Sequence, residues 1–257
     1  MIHPTAVVDL SAKVPASCAI GPYCVVGADV ELGESCELMS HVVIQGPAKI
    51  GGNNRFFPFC SIGGEPQDIS YRGEKTRIQI GDNNVVREFV TLNRGTVKGG
   101  GVTRIGSHTL IMAYSHVGHD SIIADHAMLV NGATLAGHVT VDEWAVVGAL
   151  CPVHQFVRIG AHSYIGGGTT VTQDVLPFSK CVQPRDVRVY GANAIGLERR
   201  GFSKERIRKI QHAFRVLVNS KLNTTQALER LKSEGNQGED VQMMIRFIEQ
   251  SDRGVIK

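Results

Sequence analysis

Residues 105–170 divide into hexads, IGSHTL IMAYSH VGHDSI IADHAM LVNGAT LAGHVT VDEWAV VGALCP VHQFVR IGAHSY IGGGTT, and each hexad opens on a large aliphatic residue. The same beat runs upstream. Every sixth residue from Ile2 to Ile62 is apolar, among them Ile20, Val26, Leu32, Leu38, Ile44, Ile50 and Phe56. It resumes at Ile80, Val86 and Leu92, and again at Ile105, and it continues to Val171. A second line, four residues after each aliphatic, is mostly small: Cys18, Cys24, Cys36, Ala48 and Cys60 early, Ala127, Ala133, Ala145 and Cys151 late. In a strand, residues two apart share a face, so a small and a large residue point inward together and a turn follows. Gly after the aliphatic, as at Gly21, Gly27, Gly33, Gly51, Gly106, Gly118 and Gly160, is expected to supply the turn conformation. Six residues make one flat face, and three faces close a triangular coil of 18. Stacked coils pair as parallel strands about 4.8 Å apart. Such a prism has room inside only for small and branched side chains, which accounts for aromatics at 6% of the chain.

Other features bound the reading. With 257 residues, 42% hydrophobic and 20% charged, the chain is globular. No run of eighteen apolar residues occurs, and MIHPTAVVDL lacks an apolar signal region; a cytoplasmic protein without membrane insertion is expected. Six cysteines without a CxxC pair suggest neither a disulfide framework nor a zinc ribbon, and Cys18, Cys24, Cys36 and Cys60 read as buried space-fillers. A net charge of +3 does not argue for nucleic acid. The charge is uneven, however: residues 193–257 hold 13 Lys+Arg against 8 Asp+Glu, with the excess between Arg199 and Arg215.

The period breaks twice, at about 64–79 and 93–104, in polar, Gly-rich stretches of the kind that carry function when inserted on a solenoid. It ends after Val175. LPFSKCVQPRDVRVYGANAIGL reads as a connector, and Ser203 as the N-cap of a helix with Ile207, Ile210, Phe214, Leu217 and Val218 on one face. Two further helices are expected through TQALERLKSEG and DVQMMIRFIEQ. The predicted organisation is a β-helix over 1–190 and a helical unit over 191–257.

Seven of the ten histidines fall within 108–162. Positions 18 apart stack, so His119 lies against Gly137 with Gln155 beyond, and Asp120 against His138. One exposed edge then carries His119, Asp120, His138, His154 and Gln155. A base, a carboxylate that fixes its tautomer, and an unshielded Gly137 N–H for a developing oxyanion make a working acyl-transfer set. No Ser or Cys nucleophile is needed. His3, His41, His108, His126 and His162 occupy turn positions and are expected to be solvated. A zinc site of clustered histidines is the rival reading, but the H-x4-H spacing of β-helix zinc enzymes is absent and His116 and His119 are H-x2-H. A non-enzymatic scaffold would not require the His119/Asp120/Gly137 register.

The hexads resemble the hexapeptide-repeat, left-handed parallel β-helix proteins. Together with GEPQD, RGTVKGGG (94–101), AYSHVGHD (113–120), LAGHV (135–139), VHQF (153–156) and GLERRGFS (196–203), the whole chain resembles the UDP-N-acetylglucosamine 3-O-acyltransferase family of lipid A biosynthesis. The resemblance implies His119 as general base, Asp120 as its partner and Gly137 as oxyanion donor. It implies contacts to the nucleotide sugar or the acyl-phosphopantetheine arm for Asp68, His116, His138, His154, Gln155 and Asn193. It places Arg199 and Arg200 near nucleotide phosphates or the carrier protein, and makes Gly167 the position limiting acyl length, open here to a longer 3-hydroxyacyl chain. The implied partners are acyl carrier protein, UDP-N-acetylglucosamine and two further copies in a homotrimer; no metal or other cofactor is implied. Ser70, Asn93 and Lys75 depart from the Lys, His and Pro common in the family, and the first two leave a 3-amino sugar acceptor open.

Overall fold

The computed structural model describes residues 1–182, 188–218, 220–235 and 237–256. Among them, short strands form three sheets of eight, seven and ten strands, parallel throughout except for the last pair of the third. The chain visits a first face (Val7–Val8 through Pro152–Val153), a second (Val30–Leu32 through Arg158–Ile159) and a third (Ala19–Ile20 through Tyr164–Ile165) in turn. In the unbroken stretch the register is 18 residues: His116 pairs with Thr134 and Thr134 with Pro152. The inward lines are the core. Cys18, Ile20, Val26, Leu38, Ile44, Leu129, Leu135 and Val147 are all at most 2% exposed. Fully burying a branched aliphatic is worth about 1.5–3 kcal/mol, and one such residue recurs on nearly every face from the second coil on.

The turn glycines do something other than what their position suggested. Gly21, Gly33, Gly118 and Gly160 are not in the left-handed region. A Cβ there would strike the next coil's backbone: 2.8 Å from Met39 C, 2.5 Å from Gly51 C, 2.7 Å from Ala136 C and 2.4 Å from Pro177 N. They are close-approach glycines. Positive φ falls two residues later, on Tyr23, Asp29, His108, Asp120, His138, Trp144 and His162 among others. Each such non-glycine residue costs about 1 kcal/mol or more. Where the residue carries a ring, stacking offsets it, because these rings lie one above another along the corners. Tyr23, His41, Phe59, Phe89 and Tyr114 stack at 4.9–5.0 Å. His108, His126 and Trp144 stack at 4.9 and 4.0 Å. Aromatic pairs contribute about 0.5–1.5 kcal/mol each, the same size as the backbone cost. Seven of the fifteen aromatics thus stand at corners.

Both insertions leave the prism at the corner between the first and second faces, between strands Ser61–Gly64 and Arg77–Ile80 and between Thr91–Asn93 and Val102–Ile105. The segment read as a connector holds two strands, Ser179–Val182 and Arg188–Ala192, which pair antiparallel and extend the third face; Gln183–Val187 lie outside the described residues. Their alternation is too short to be legible without the sheet edge they pair with. Four helices follow among the described residues: α1 (Ala194–Arg199), α2 (Lys204–Leu217), α3 (Thr224–Ser233) and α4 (Glu239–Glu249). The Ser203 side chain caps α2 through Arg206 N, and Asn223 with Gln226 forms a capping box on α3. Ile207, Ile210, Phe214 and Leu217 are buried on one face of α2. The C-terminal segment returns to the last coil, where Ser251 Oγ donates to buried Asp174. No helix among the described residues is long and apolar enough to cross a membrane.

Candidate active site

His119 and Asp120 sit one coil beyond the second insertion, on the corner that both insertions share. His116 opens the strand before them, with Nδ1 2.7 Å from Thr91 Oγ1. Burial holds its imidazole below the usual histidine range. His119 Nδ1 is 2.8 Å from Asp120 Oδ2. Against an ionised carboxylate Nδ1 carries the proton, so Nε2 is left as a bare base. The Asp120 side chain is 1% exposed and that of His119 15%, so the charge is buried and the base is reachable.

Asp120 is fully partnered. Oδ1 accepts from Thr96 N at 2.7 Å, and Oδ2 accepts from Thr96 Oγ1 at 2.6 Å as well as from His119. Its own N–H donates to Thr103 Oγ1 at 2.8 Å. Gly137 lies against the His119 ring: a Cβ there would be 2.6 Å from Cε1 and 2.7 Å from Nε2. Among the described residues no acceptor takes the Gly137 N–H.

His138 Nε2 is 3.7 Å from Asp120 Oδ2, and its ring stacks on Phe156 at 4.5 Å. Burial lowers its pKa, with the Asp120 charge opposing. His154 and Gln155 are exposed one rung further, His154 Nδ1 lying 3.0 Å from the Gln155 carbonyl. Asp68, from the first insertion, accepts from Ser70 N at 2.7 Å, which holds its carboxyl below the usual range; the charges of Lys98 and His119 act the same way. Ser70 Oγ in turn accepts from Lys98 Nζ at 3.0 Å. Asn93 is 6% exposed and ties the insertions together, donating to Glu65 O at 2.8 Å. Arg94 does the same through Gly63 O at 3.1 Å and the Tyr71 hydroxyl at 3.0 Å. Lys75 is exposed on the first insertion.

The remaining predicted residues are not at this corner. Asn193 caps α1 and donates to His162 O at 3.2 Å. With Arg199, Arg200, Tyr164 and Lys180 it lines a groove of about 780 Å³ on the third face. Arg200 lies over the Trp144 ring at 5.5 Å, and its buried Nη1 has no partner among the described residues. Gly167 stands in the side-chain-free run Gly166–Gly168 at the third-to-first corner. Within one chain, therefore, Asn193, Arg199 and Arg200 stand apart from the His119 corner, and Gly167 stands at a third place.

The expectation that the turn histidines are solvated holds for His3, His41 and His108, which are exposed, and fails for His162. His162 stacks on Phe178 at 5.5 Å, meets Phe202 edge-on at 4.9 Å, and has a buried Nδ1 without a partner among the described residues. Burial pushes its pKa down to about 4. The cause is the C-terminal unit, whose Phe202 closes over that corner. His126 is half-buried against Trp144.

His119, Asp120 and His138 could offer ligand atoms within 4.8 Å of one another. A cation there would have to displace the proton between His119 and Asp120 and compete with Thr96. The donor set is that of a hydrogen-bonded base. Thr96 and Thr103 were missed in the sequence. The clue was a threonine within RGTVKGGG, but nothing local says that it reaches Asp120.

A three-faced β-helix with a histidine–carboxylate pair at one corner defines a hexapeptide-repeat transferase, and the bacterial transferase hexapeptide (six repeats) family matches residues 103–137. The UDP N-acetylglucosamine O-acyltransferase, domain 2, family matches residues 174–256. The chain is similar over its full length to the solved UDP-N-acetylglucosamine acyltransferase of Francisella novicida, with 41% identity, TM-score 0.97 and 94% of that chain covered. It is also similar to LpxA from Acinetobacter baumannii (38%, TM-score 0.95, 100% and 99% covered) and to the Arabidopsis UDP-N-acetylglucosamine acyltransferase (30%, TM-score 0.88, 100% of both chains). The chain belongs to the UDP-N-acetylglucosamine acyltransferase family and is an acyltransferase.

Proposed function

We propose that this chain transfers a 3-hydroxyacyl group from acyl carrier protein to the 3-hydroxyl of UDP-N-acetylglucosamine, without a covalent acyl-enzyme. The observation that carries the reading is the His119 Nδ1–Asp120 bond of 2.8 Å, which leaves Nε2 free beside Gly137. His119 Nε2 takes the proton from the sugar hydroxyl as its oxygen attacks the thioester carbonyl. The Gly137 N–H donates to the tetrahedral oxyanion. The oxyanion then collapses, the C–S bond breaks, and the His119 imidazolium returns the proton to the departing thiolate. Asp120 steadies the imidazolium throughout. The base is worth about 10²–10⁴ in rate and one oxyanion donor about 10²–10³.

Asp68, His116, His138, His154 and Gln155 would orient the sugar and the acyl-phosphopantetheine arm. Asn193, Arg199 and Arg200 would take the nucleotide or the carrier protein, and Gly167 would set acyl length. Because Asn193, Arg199 and Arg200 lie on another face than His119, a complete site needs a neighbouring copy, which supports a homotrimer with sites between subunits. The basic start of α2 would guide an acidic carrier protein.

The test is acyl transfer from 3-hydroxyacyl carrier proteins of several lengths to UDP-N-acetylglucosamine and, separately, to its 3-amino analogue. A single preferred length with the hydroxyl acceptor supports the reading; activity on the amino sugar alone replaces the acceptor. Co-assembled His119→Ala and Arg200→Ala chains, each inactive alone, should regain part of wild-type activity. No recovery would refute the shared site.

A further inference from the structure

We propose that Thr96, in the second insertion, is a positioning residue for His119: it grips both carboxylate oxygens of Asp120, so that one direction on Oδ2 is left for the imidazole. The inference rests on the general-base reading of His119. Thr96 touches Asp120 twice, N–H to Oδ1 at 2.7 Å and Oγ1 to Oδ2 at 2.6 Å, and its side chain reaches the pair from a different coil. The hydroxyl is itself oriented. Gly99 N donates to Thr96 Oγ1 at 3.2 Å, which occupies a lone pair and turns the O–H toward Asp120. Gly99 also lets the loop close: a Cβ there would be 2.0 Å from Asp120 Cγ. From the other side Thr103 Oγ1 accepts the Asp120 N–H. Thr96 is 5% exposed and Thr103 0%, so water does not substitute for these bonds.

His138 competes for the same carboxylate. His138 Nε2 lies 3.7 Å from the same Oδ2. A carboxylate anchored only through Oδ1 is free to rotate and to share Oδ2 between two imidazoles. His119 then loses the single acceptor that fixes its tautomer, and part of the population carries its proton on Nε2, where it cannot act as a base. Thr96 contacts neither the base nor, through its buried side chain, the substrate; it works through Asp120.

Thr96→Val keeps the backbone N–H and the side-chain shape but removes the donor, and Thr96→Ser keeps the donor. We expect kcat of Thr96→Val to fall about ten- to a hundred-fold, the size of one lost hydrogen bond to a charged group, with KM for the acceptor and the assembly state unchanged. Thr96→Ser should stay within about threefold of wild type. Nitrogen-15 spectra of histidine-labelled protein should show His119 protonated on Nδ1 alone in wild type and Thr96→Ser, and an averaged tautomer in Thr96→Val. If Val does not fold, Thr96→Ala is read the same way. Wild-type kcat in Thr96→Val, an unchanged His119 tautomer, or an equal loss in Thr96→Ser each overturns the proposal. Full activity in His119→Gln would instead overturn the general-base reading, and the tautomer spectra would still decide whether Thr96 positions His119.

Discussion

Replacing Gly137 with Ala separates the site from the fold. The Cβ would stand 2.6 Å from His119 Cε1 and 2.7 Å from Nε2, while ordinary contact begins at 3.4 Å, so the ring must retreat by about 0.8 Å (3.4 − 2.6). Gly137 is not in the left-handed region, and the nearest atoms belong to a side chain and not to backbone, so the coil itself is not forced apart. The ring can yield only by leaving its 2.8 Å bond to Asp120 or by moving Nε2 off the reacting hydroxyl. A misplacement of about 1 Å costs about 10²-fold in rate. We therefore expect kcat of Gly137→Ala to fall about a hundredfold, with folding stability changed by less than about 1 kcal/mol. Steady-state acyl transfer and differential scanning calorimetry on the same preparation measure both. Activity within threefold of wild type would refute the placement of the reacting hydroxyl beside Nε2. A large loss of stability would refute the claim that the coil tolerates the methyl group.

Three further outcomes follow from the fold. Leu129→Ala, at a fully buried position, should cost about 2–5 kcal/mol, read from denaturant midpoints, because neighbouring rungs leave little room to collapse. The unfolded chain protonates His162 near 6.5, whereas the folded chain resists until about 4, with Arg200 and Arg206 adding to burial and Asp240 opposing. The unfolded state then binds more protons in that window, so its contribution is present above pH 6.5 and is lost as pH falls toward 4; His162→Phe should flatten that part of the stability–pH curve relative to wild type. All six cysteines are buried and free, with burial pushing Cys60 up to about 12 and Cys181 to about 11. Ellman's reagent at pH 8 should find almost no reactive thiol in the native protein and six after denaturation.

The prism and the His119–Gly137–Gln155 stack were legible because the hexads from Ile105 to Val171 run without a break. There, adding 18 to a residue number gives its neighbour, and each strand needs only two inward residues to declare itself. The role of the glycines was misread for a related reason. Periodicity locates a turn but does not say which of its residues bends the chain and which lies against the next coil. That distinction emerged only where Gly118 was seen against Ala136 and Asp120 carried the positive φ.

The local pattern of large and small residues determined the three-faced β-helix, the helices from Ser203 onward and the identity of the histidine–carboxylate pair, because each depends on spacings shorter than one coil. The tertiary structure decided what surrounds that pair. Across the insertions the register is 30 residues from Ser61 to Thr91 and 25 from Thr91 to His116, so 12 and 7 residues are looped out and adding 18 no longer finds the neighbour. Both loops leave from one corner, and Thr96 reaches Asp120 across 24 residues. Likewise Phe202 closes on His162 only after the chain has reversed through the third face. Contacts of that kind are set by how the coils accumulate and where the ends fold back, and no periodicity in the sequence encodes them.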